Sequence, residues 1–274
     1  MSIILFAAVL LLVFLALWWL LVDTEGVYLG RRVVIGLYDI YAKRYDRIKQ
    51  FDEVTEHLYL AQPIMNALQP RTDPLVLDVA TGTGRLPLAL CQHARFEGHI
   101  IALDLSLRML EVAAAKLQCE HFDDYVTLLW ATSEILPFHD MSFDLVTCLE
   151  ALEFMPNPQA TLKELARVLY PGGLFLTTLR QDVFMPGRRW THSYMTHSLS
   201  SAGIIDIRTT EFTTDYQLVW GRKAGNPGFQ GIRPIEELID EAILKSLQVD
   251  NNALPPKSGI IDLYSSQKKL MRLR

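Results

Sequence analysis

Hydrophobic positions divide the chain into stretches of different period. Ile3 to Val22 reads IILFAAVLLLVFLALWWLLV, twenty residues with no charge, proline or glycine. A helix of that length, at ~1.5 Å per residue, reaches about 30 Å and matches the hydrocarbon core of a bilayer. From Leu75 onward, short continuous apolar runs alternate with amphipathic segments. The runs at 76–79, 100–103, 125–130, 143–149 and 174–178 predict strands; the segments at 86–93, 108–117 and 159–169 predict helices. Strands that are apolar at successive positions have both faces covered. Their alternation with helices predicts an α/β fold with a Rossmann-like, doubly wound, mostly parallel sheet. The runs at 204–212 and 216–221 predict a terminal antiparallel hairpin. Residues 38–68 read as helical with a break at Pro63, and 235–247 as an amphipathic helix. The expected organisation is a transmembrane anchor (1–24), a juxtamembrane and helical cap (25–70), a ligand-binding domain (71–223) and a C-terminal extension (224–274).

Charge gives the first segment an orientation. A cleaved signal peptide has a basic start, a shorter apolar core and small residues at its end. Here Met1-Ser2 carries no side-chain charge, and Trp18 and Trp19 close the run, as in an interfacial aromatic belt. An uncleaved anchor is the better reading. Arg31, Arg32, Lys43, Arg44, Arg47 and Lys49 follow the span and no Lys or Arg precedes it. A single-pass membrane protein with its bulk in the cytoplasm is therefore expected. The net charge of -5 argues against a general nucleic-acid partner. Cys91, Cys119 and Cys148 are odd in number and widely spaced, so they form neither a disulfide framework nor a metal pattern.

Candidate chemistry begins at LDVATGTGR, residues 77–85. Gly82 and Gly84 permit conformations and approaches that side chains block. The loop opens a helix whose amides and dipole favour an anionic group, and Pro87 suits its first turn. Asp78 precedes the glycines. Asp104 follows Gly84 by twenty residues and ends the next strand, where an acid can accept hydrogen bonds from both ribose hydroxyls. The dinucleotide fingerprint wants a third glycine where Pro87 stands. Asp78 would also repel a pyrophosphate and attract an ammonium group. The ligand expected is one with a ribose and an amino-acid end, rather than a nicotinamide dinucleotide.

These segments resemble those of the class I S-adenosylmethionine (SAM) methyltransferases, nearest in look to the type-11 branch of quinone and lipid methyltransferases. LDVATGTGR resembles the family's first motif and ALDLSLRML (102–110) its second. LPFHDMSFDLVTCLEALEFMPNP (136–158), ELARVLYPGGLFLTT (164–178) and YDIYAKRYDRI (38–48) resemble later and N-terminal segments. The resemblance implies SAM as cofactor. Asp78 and the loop Ala80, Thr81, Gly82, Thr83, Gly84 would hold its methionine part. Asp104 would take the ribose, with Leu105 and Met109 near the adenine. The family's Gly-Asp-Ala, whose acid binds the adenine amino group, reads Ala131-Thr132-Ser133 here. Thr132 and Ser133 would then offer hydroxyls where the family has a carboxylate. Phe154 stands where the family often has a histidine.

A general base is needed only if the methyl acceptor loses a proton as it attacks. Glu150, Glu153 and His192 are the candidates, and Glu150 can instead touch the cofactor. Tyr194 and His197 share the segment of His192. Tyr38, Tyr41 and Tyr45 describe either a lid over the pocket or a core-facing helical stripe. Arg188 and Arg189 can bind an acidic head group or extend to solvent. The anchor favours a lipophilic, membrane-associated small-molecule acceptor: a lipid, a phospholipid amine or a quinone precursor. The basic end of the chain (Lys268, Lys269, Arg272, Arg274) would add attraction to anionic lipid. The competing readings are an inactive methyltransferase-like membrane scaffold and an NAD-dependent oxidoreductase.

Overall fold

The computed structural model describes residues 2–181 and 184–225. The expected helix at 235–247 and the basic C-terminal residues lie outside the described residues. Helix α1 (Ser2–Trp18) continues as a widened turn through Asp23. This helical stretch, Ile3–Asp23, is long and apolar enough to cross a membrane. Its residues from Ile3 to Trp18 are largely exposed.

The next helices form a cap: α2 (Arg31–Tyr41), α3 (Tyr45–Lys49), α4 (Glu53–Glu56) and α5 (Gln62–Ala67). The expected single helix with a break at Pro63 is corrected here. The interruption falls earlier, at Gln50 with a left-handed φ of 53° and at Asp52, whose carboxylate caps α4 through Thr55 N at 2.9 Å. Pro63 is absorbed instead. A proline lacks the N–H for the carbonyl four residues back and crowds it. The chain answers with a π turn over His57–Ala61, in which Gln62 N donates to His57 O.

Seven strands follow: β1 (Leu75–Val79), β2 (His99–Asp104), β3 (Val126–Trp130), β4 (Phe143–Cys148), β5 (Leu169–Arg180), β6 (Ile204–Glu211) and β7 (Tyr216–Lys223). They form one sheet in the order β3-β2-β1-β4-β5-β7-β6. The first five pair in parallel, and β7 runs antiparallel to both β5 and β6. Between them lie α6 (Arg85–Cys91), α7 (Leu107–Cys119), α8 (Pro158–Val168) and α9 (His192–Ser201). Ser106, Asn157 and Thr191 cap the last three with side-chain oxygens, as polar N-cap residues do.

Two apolar cores explain the continuous hydrophobic runs. Leu77, Val79, Ile101, Leu103, Val146 and Phe175 face α8 and α9; Val76, Ile100, Ala102, Leu145, Leu174 and Leu176 face α5 and α6. β5 starts five residues before its expected beginning. Pro171 disfavours helix at Tyr170, and Leu169 is already extended at φ -75° and ψ 133°. The strand order reverses between β1 and β4, so their carboxyl ends open the crevice where such sheets bind ligands.

Candidate functional site

At the carboxyl end of β1, Asp78 is buried and accepts a 2.6 Å hydrogen bond from Thr147 Oγ1. Burial pushes its carboxyl up to about 6, against the lowering effect of the Thr147 hydroxyl. The chain then turns through Ala80 and Gly82, both left-handed at φ 59° and 55°. A Cβ on Gly82 would meet no atom within 4 Å, whereas one on Gly84 would sit 3.0 Å from Ala113 Cβ. Gly82 thus borders open space, and Gly84 lets α6 pack close to α7. Thr81 Oγ1 is buried in the loop between them and, like the Thr147 hydroxyl, opposes the rise of the Asp78 pKa.

Asp104 ends β2 and braces this loop. Its Oδ2 accepts from Gly82 N at 2.8 Å and its Oδ1 from Ser106 N at 2.8 Å. Burial raises its pKa, and these backbone hydrogen bonds oppose the rise. Each carboxylate oxygen retains capacity for a further donor.

A cavity of about 820 Å³, mouth included, opens over Gly82, Asp104, Leu105, Thr132 and Ser133. A second space of about 400 Å³ lies over Asp78, Thr81, Thr83 and Arg85. The two share Tyr45, Ala80, Gly82, Leu149 and Glu150 as walls, so they are halves of one channel. The gap before Gly82 and the Asp78 carboxylate fit a ligand with a polar, cationic end in the smaller half. Asp104 and the hydroxyls lie in the larger.

Glu150 lines both halves from a left-handed φ of 51°, uncommon for a side-chain-bearing residue. Thr178 Oγ1 accepts from its backbone N at 2.6 Å, and its Oε1 accepts from Arg85 Nη1 at 2.7 Å. Glu153 does not line the channel. It is buried one turn on, accepting from Tyr216 Oη at 2.8 Å, and burial raises its pKa. His192 is likewise outside. It is exposed at the start of α9, sharing a 3.2 Å hydrogen bond with Thr209 of β6, because α9 packs on that edge of the sheet. Tyr194 and His197 share its helix. Met109 is buried in the first turn of α7 and does not line the channel, whereas Leu105 does. Tyr38 and Tyr45 face the channel while Tyr41 is exposed, so the tyrosine stripe is divided. Burial holds both inward phenols well above their ordinary range.

Three features escape the motif reading. Glu134 lines the larger half, takes a hydrogen bond from the Thr132 hydroxyl and pairs with Arg31. Its spacing, two residues beyond Thr132, was the available signal. Arg85 bridges Glu56 at 2.5 Å and Glu150 at 2.7 Å between the rings of Phe51 and Phe212, at 4.1 and 4.8 Å. The cap is also fastened across the loop. Asp39 accepts from Ser106 Oγ at 2.6 Å, and Asp46 holds the Thr83 hydroxyl and Lys116.

A Rossmann-like sheet with its seventh strand inserted antiparallel, and this channel at its switch point, define the class I methyltransferase architecture. The family model described as "Methyltransferase domain" matches residues 77–177. A demethylmenaquinone methyltransferase of Porphyromonas gingivalis is 30% identical over 171 residues, covering 62% of this chain and 70% of the relative. A ubiquinone/menaquinone biosynthesis C-methyltransferase of Rhizobium leguminosarum bv. trifolii is 33% identical over 147 residues, covering 53% of this chain and 57% of its own length. Among solved structures, a SAM-dependent methyltransferase from Aquifex aeolicus superposes with a TM-score of 0.54 at 21% identity, over 67% of this chain and 97% of that one. The chain belongs to the class I SAM-dependent methyltransferases, in the type-11 branch, and SAM is its cofactor.

Proposed function

We propose that the protein methylates a lipophilic, quinol-like acceptor at the cytoplasmic face of a membrane. The observation that carries this reading is the similarity to quinone methyltransferases in a chain that begins with a membrane-length apolar helix. The apolar wall of the larger half, with Val34, Ile35, Tyr38, Phe154 and Met155, supports it. The scaffold and nicotinamide readings gain no support from the family match or these relatives.

In this reading residues 25–70 cap a cofactor domain at 71–223. Asp78 and Thr81 hold the amino-acid end of SAM, Asp104 the ribose hydroxyls, and Leu105 packs on the adenine. Thr132, Ser133 and Glu134 face the adenine amino group. SAM, when bound, supplies a methyl group already activated on a sulfonium. The protein's part is to align the acceptor, exclude water and manage its proton. Glu150, at the junction of the two halves, accepts the proton that the acceptor's hydroxyl or ring carbon gives up. Arg85 holds Glu150 in place. Glu153 and His192 act at most through neighbours.

The test supplies membranes containing the protein with methyl-labelled SAM and a demethylated isoprenoid quinol. Label in a methylated quinol in the organic phase is expected. Label confined to water-soluble products would overturn the acceptor class, and no transfer with intact SAM binding would overturn the quinol.

Two further results follow from the geometry. The affinity for SAM should fall as pH drops through about 6, because Asp78 loses the charge that attracts the ammonium group. Its folded-state pKa is raised, so the competent charged form is present above that pH and lost below it. Titration calorimetry between pH 5 and 8 checks this, and in Asp78→Asn the pH dependence should vanish along with most of the affinity. Glu134→Ala should weaken SAM binding by about 10–10²-fold, as a charged hydrogen-bond partner is worth roughly 1.5–3 kcal/mol. Thr132→Ala should cost less, since a neutral partner is worth roughly 0.5–1.5 kcal/mol. The reverse order in calorimetry would return the adenine contact to Thr132.

A further inference from the structure

We propose that residues 184–189, the turn between β5 and α9, form a second membrane contact that holds the channel mouth against the bilayer. The proposal rests on the reading of Ile3–Asp23 as a membrane span, and its argument starts at the end of that span. Trp19 Nε1 donates to Phe184 O at 3.1 Å, and the two rings lie 6.3 Å apart. Trp19 also stacks on Tyr28 at 5.3 Å, and Tyr28 Oη donates to Pro186 O at 2.9 Å. A segment in direct contact with the last turn of a membrane helix lies at that turn's depth. If Trp19 sits in the headgroup region, so does Phe184.

The chemistry of the turn fits that depth. Phe184 is 76% exposed, and Trp18, Val22, Tyr28 and Leu29, within ten residues of Trp19 along the chain, are 51%, 43%, 37% and 48% exposed. In water this is an unexplained cluster of large apolar side chains beside the cap. At a bilayer interface it is an aromatic belt carried by two separate segments. Where the headgroup region gives way to hydrocarbon, backbone carbonyls lose water and need protein donors. Those of Phe184 and Pro186 receive an indole N–H and a phenol O–H, from the two residue types with an apolar body and a polar tip. Arg189, exposed in the same turn, adds positive charge to the patch.

The turn is also tied to the channel. Arg188 Nη1 donates to Met155 O at 2.5 Å, and Met155 and Pro156 line the larger half. The path from bilayer to channel wall therefore runs Trp19, Phe184 to Pro186, Arg188, Met155. A membrane-dissolved acceptor would leave the bilayer beside this wall without crossing bulk water.

The test uses the full chain in phosphatidylcholine vesicles with a fluorophore at a single cysteine. Cys148 is buried and burial pushes the Cys91 thiol up to about 12, so Cys119→Ser removes the exposed background thiol. Labels are placed through Phe184→Cys and, as reference, Tyr125→Cys, which lies before β3 at the opposite end of the sheet. Emission at 184 should be lost to nitroxide-bearing lipid and protected from aqueous iodide, with the reverse at 125. Phe184→Ser should raise the KM for a bilayer-dissolved acceptor and leave kcat and SAM affinity unchanged. A label at 184 as open to iodide as that at 125, in protein that resists carbonate extraction, would overturn the proposal with the anchor intact. Release by carbonate would overturn the anchor, and the second contact with it.

Discussion

Asp104→Ala is expected to reduce SAM affinity by about 10²–10⁴-fold, the loss of two hydrogen bonds to a charged group at roughly 1.5–3 kcal/mol each. Two contributions converge on this carboxylate. In the proposed reading the acid that ends β2 accepts from both ribose hydroxyls. It also holds the loop in shape, since Gly82 N and Ser106 N donate to its two oxygens at 2.8 Å. Alanine frees both amides, and the left-handed turn at Gly82 loses its brace. Asp104→Asn tests the charge at constant volume. Its single carbonyl satisfies one amide, while its NH2 group faces the other as a second donor. Calorimetry with SAM and with its demethylated product should show both variants impaired by similar factors, because neither contribution involves the methyl group. The melting temperature of the unliganded protein reports separately on the loop. A dissociation constant within about threefold of the wild type would remove Asp104 from the cofactor site; that bound, under 1 kcal/mol, is below one charged hydrogen bond.

The sequence makes this site partly legible for a physical reason. Asp78, Gly82, Gly84 and Asp104 belong to two neighbouring strand ends, and their spacing follows from a single strand–helix–strand unit. The strands are legible because both faces of the sheet are covered, which writes Val76 and Leu77, or Ile100 and Ile101, as successive apolar residues. The cap is less so. Its turns at Gln50 and His57–Ala61 respond to local strain that periodicity does not record. His192 shows the opposite failing. It follows closely in sequence on a segment near the channel, but Thr191 caps a helix that carries it to the far edge of the sheet. Glu134 and Arg85 were within sight of known motifs, but their partners Arg31, Glu56 and Phe212 come from distant segments. Long-range pairing of this kind has no local signature.

The same long-range pairing predicts the largest effect on stability. Arg85→Met should lower the melting temperature by about 6–20 °C, from roughly 3–5 kcal/mol for breaking a buried ion pair and about 2–4 °C per kcal/mol in a domain of this size. Arg85, Glu56 and Glu150 have side chains only 11%, 8% and 10% exposed, so the variant strands Glu56 without a cation and leaves Glu150 only Lys49 at 3.9 Å. It also removes the cation from between Phe51 of the cap and Phe212 beyond β6, which joins the cap to the sheet. The pH dependence has a definite sign. Burial already raises the Glu56 pKa, with Arg85 opposing the rise. Without Arg85 it rises further, so the folded state binds a proton more tightly than the unfolded chain. That contribution is full below the unfolded pKa and is lost as pH climbs through the folded one. The deficit of Arg85→Met should therefore be greatest at neutral pH and narrow towards pH 5. Adding Glu56→Gln and Glu150→Gln should restore much of the lost stability and flatten the profile, because a cluster replaced as a whole leaves no unpaired charge. Calorimetric melting of the three proteins across that pH range decides the matter. A deficit that persists at pH 5, or fails to recover in the triple variant, would assign Arg85 to aromatic packing rather than to charge.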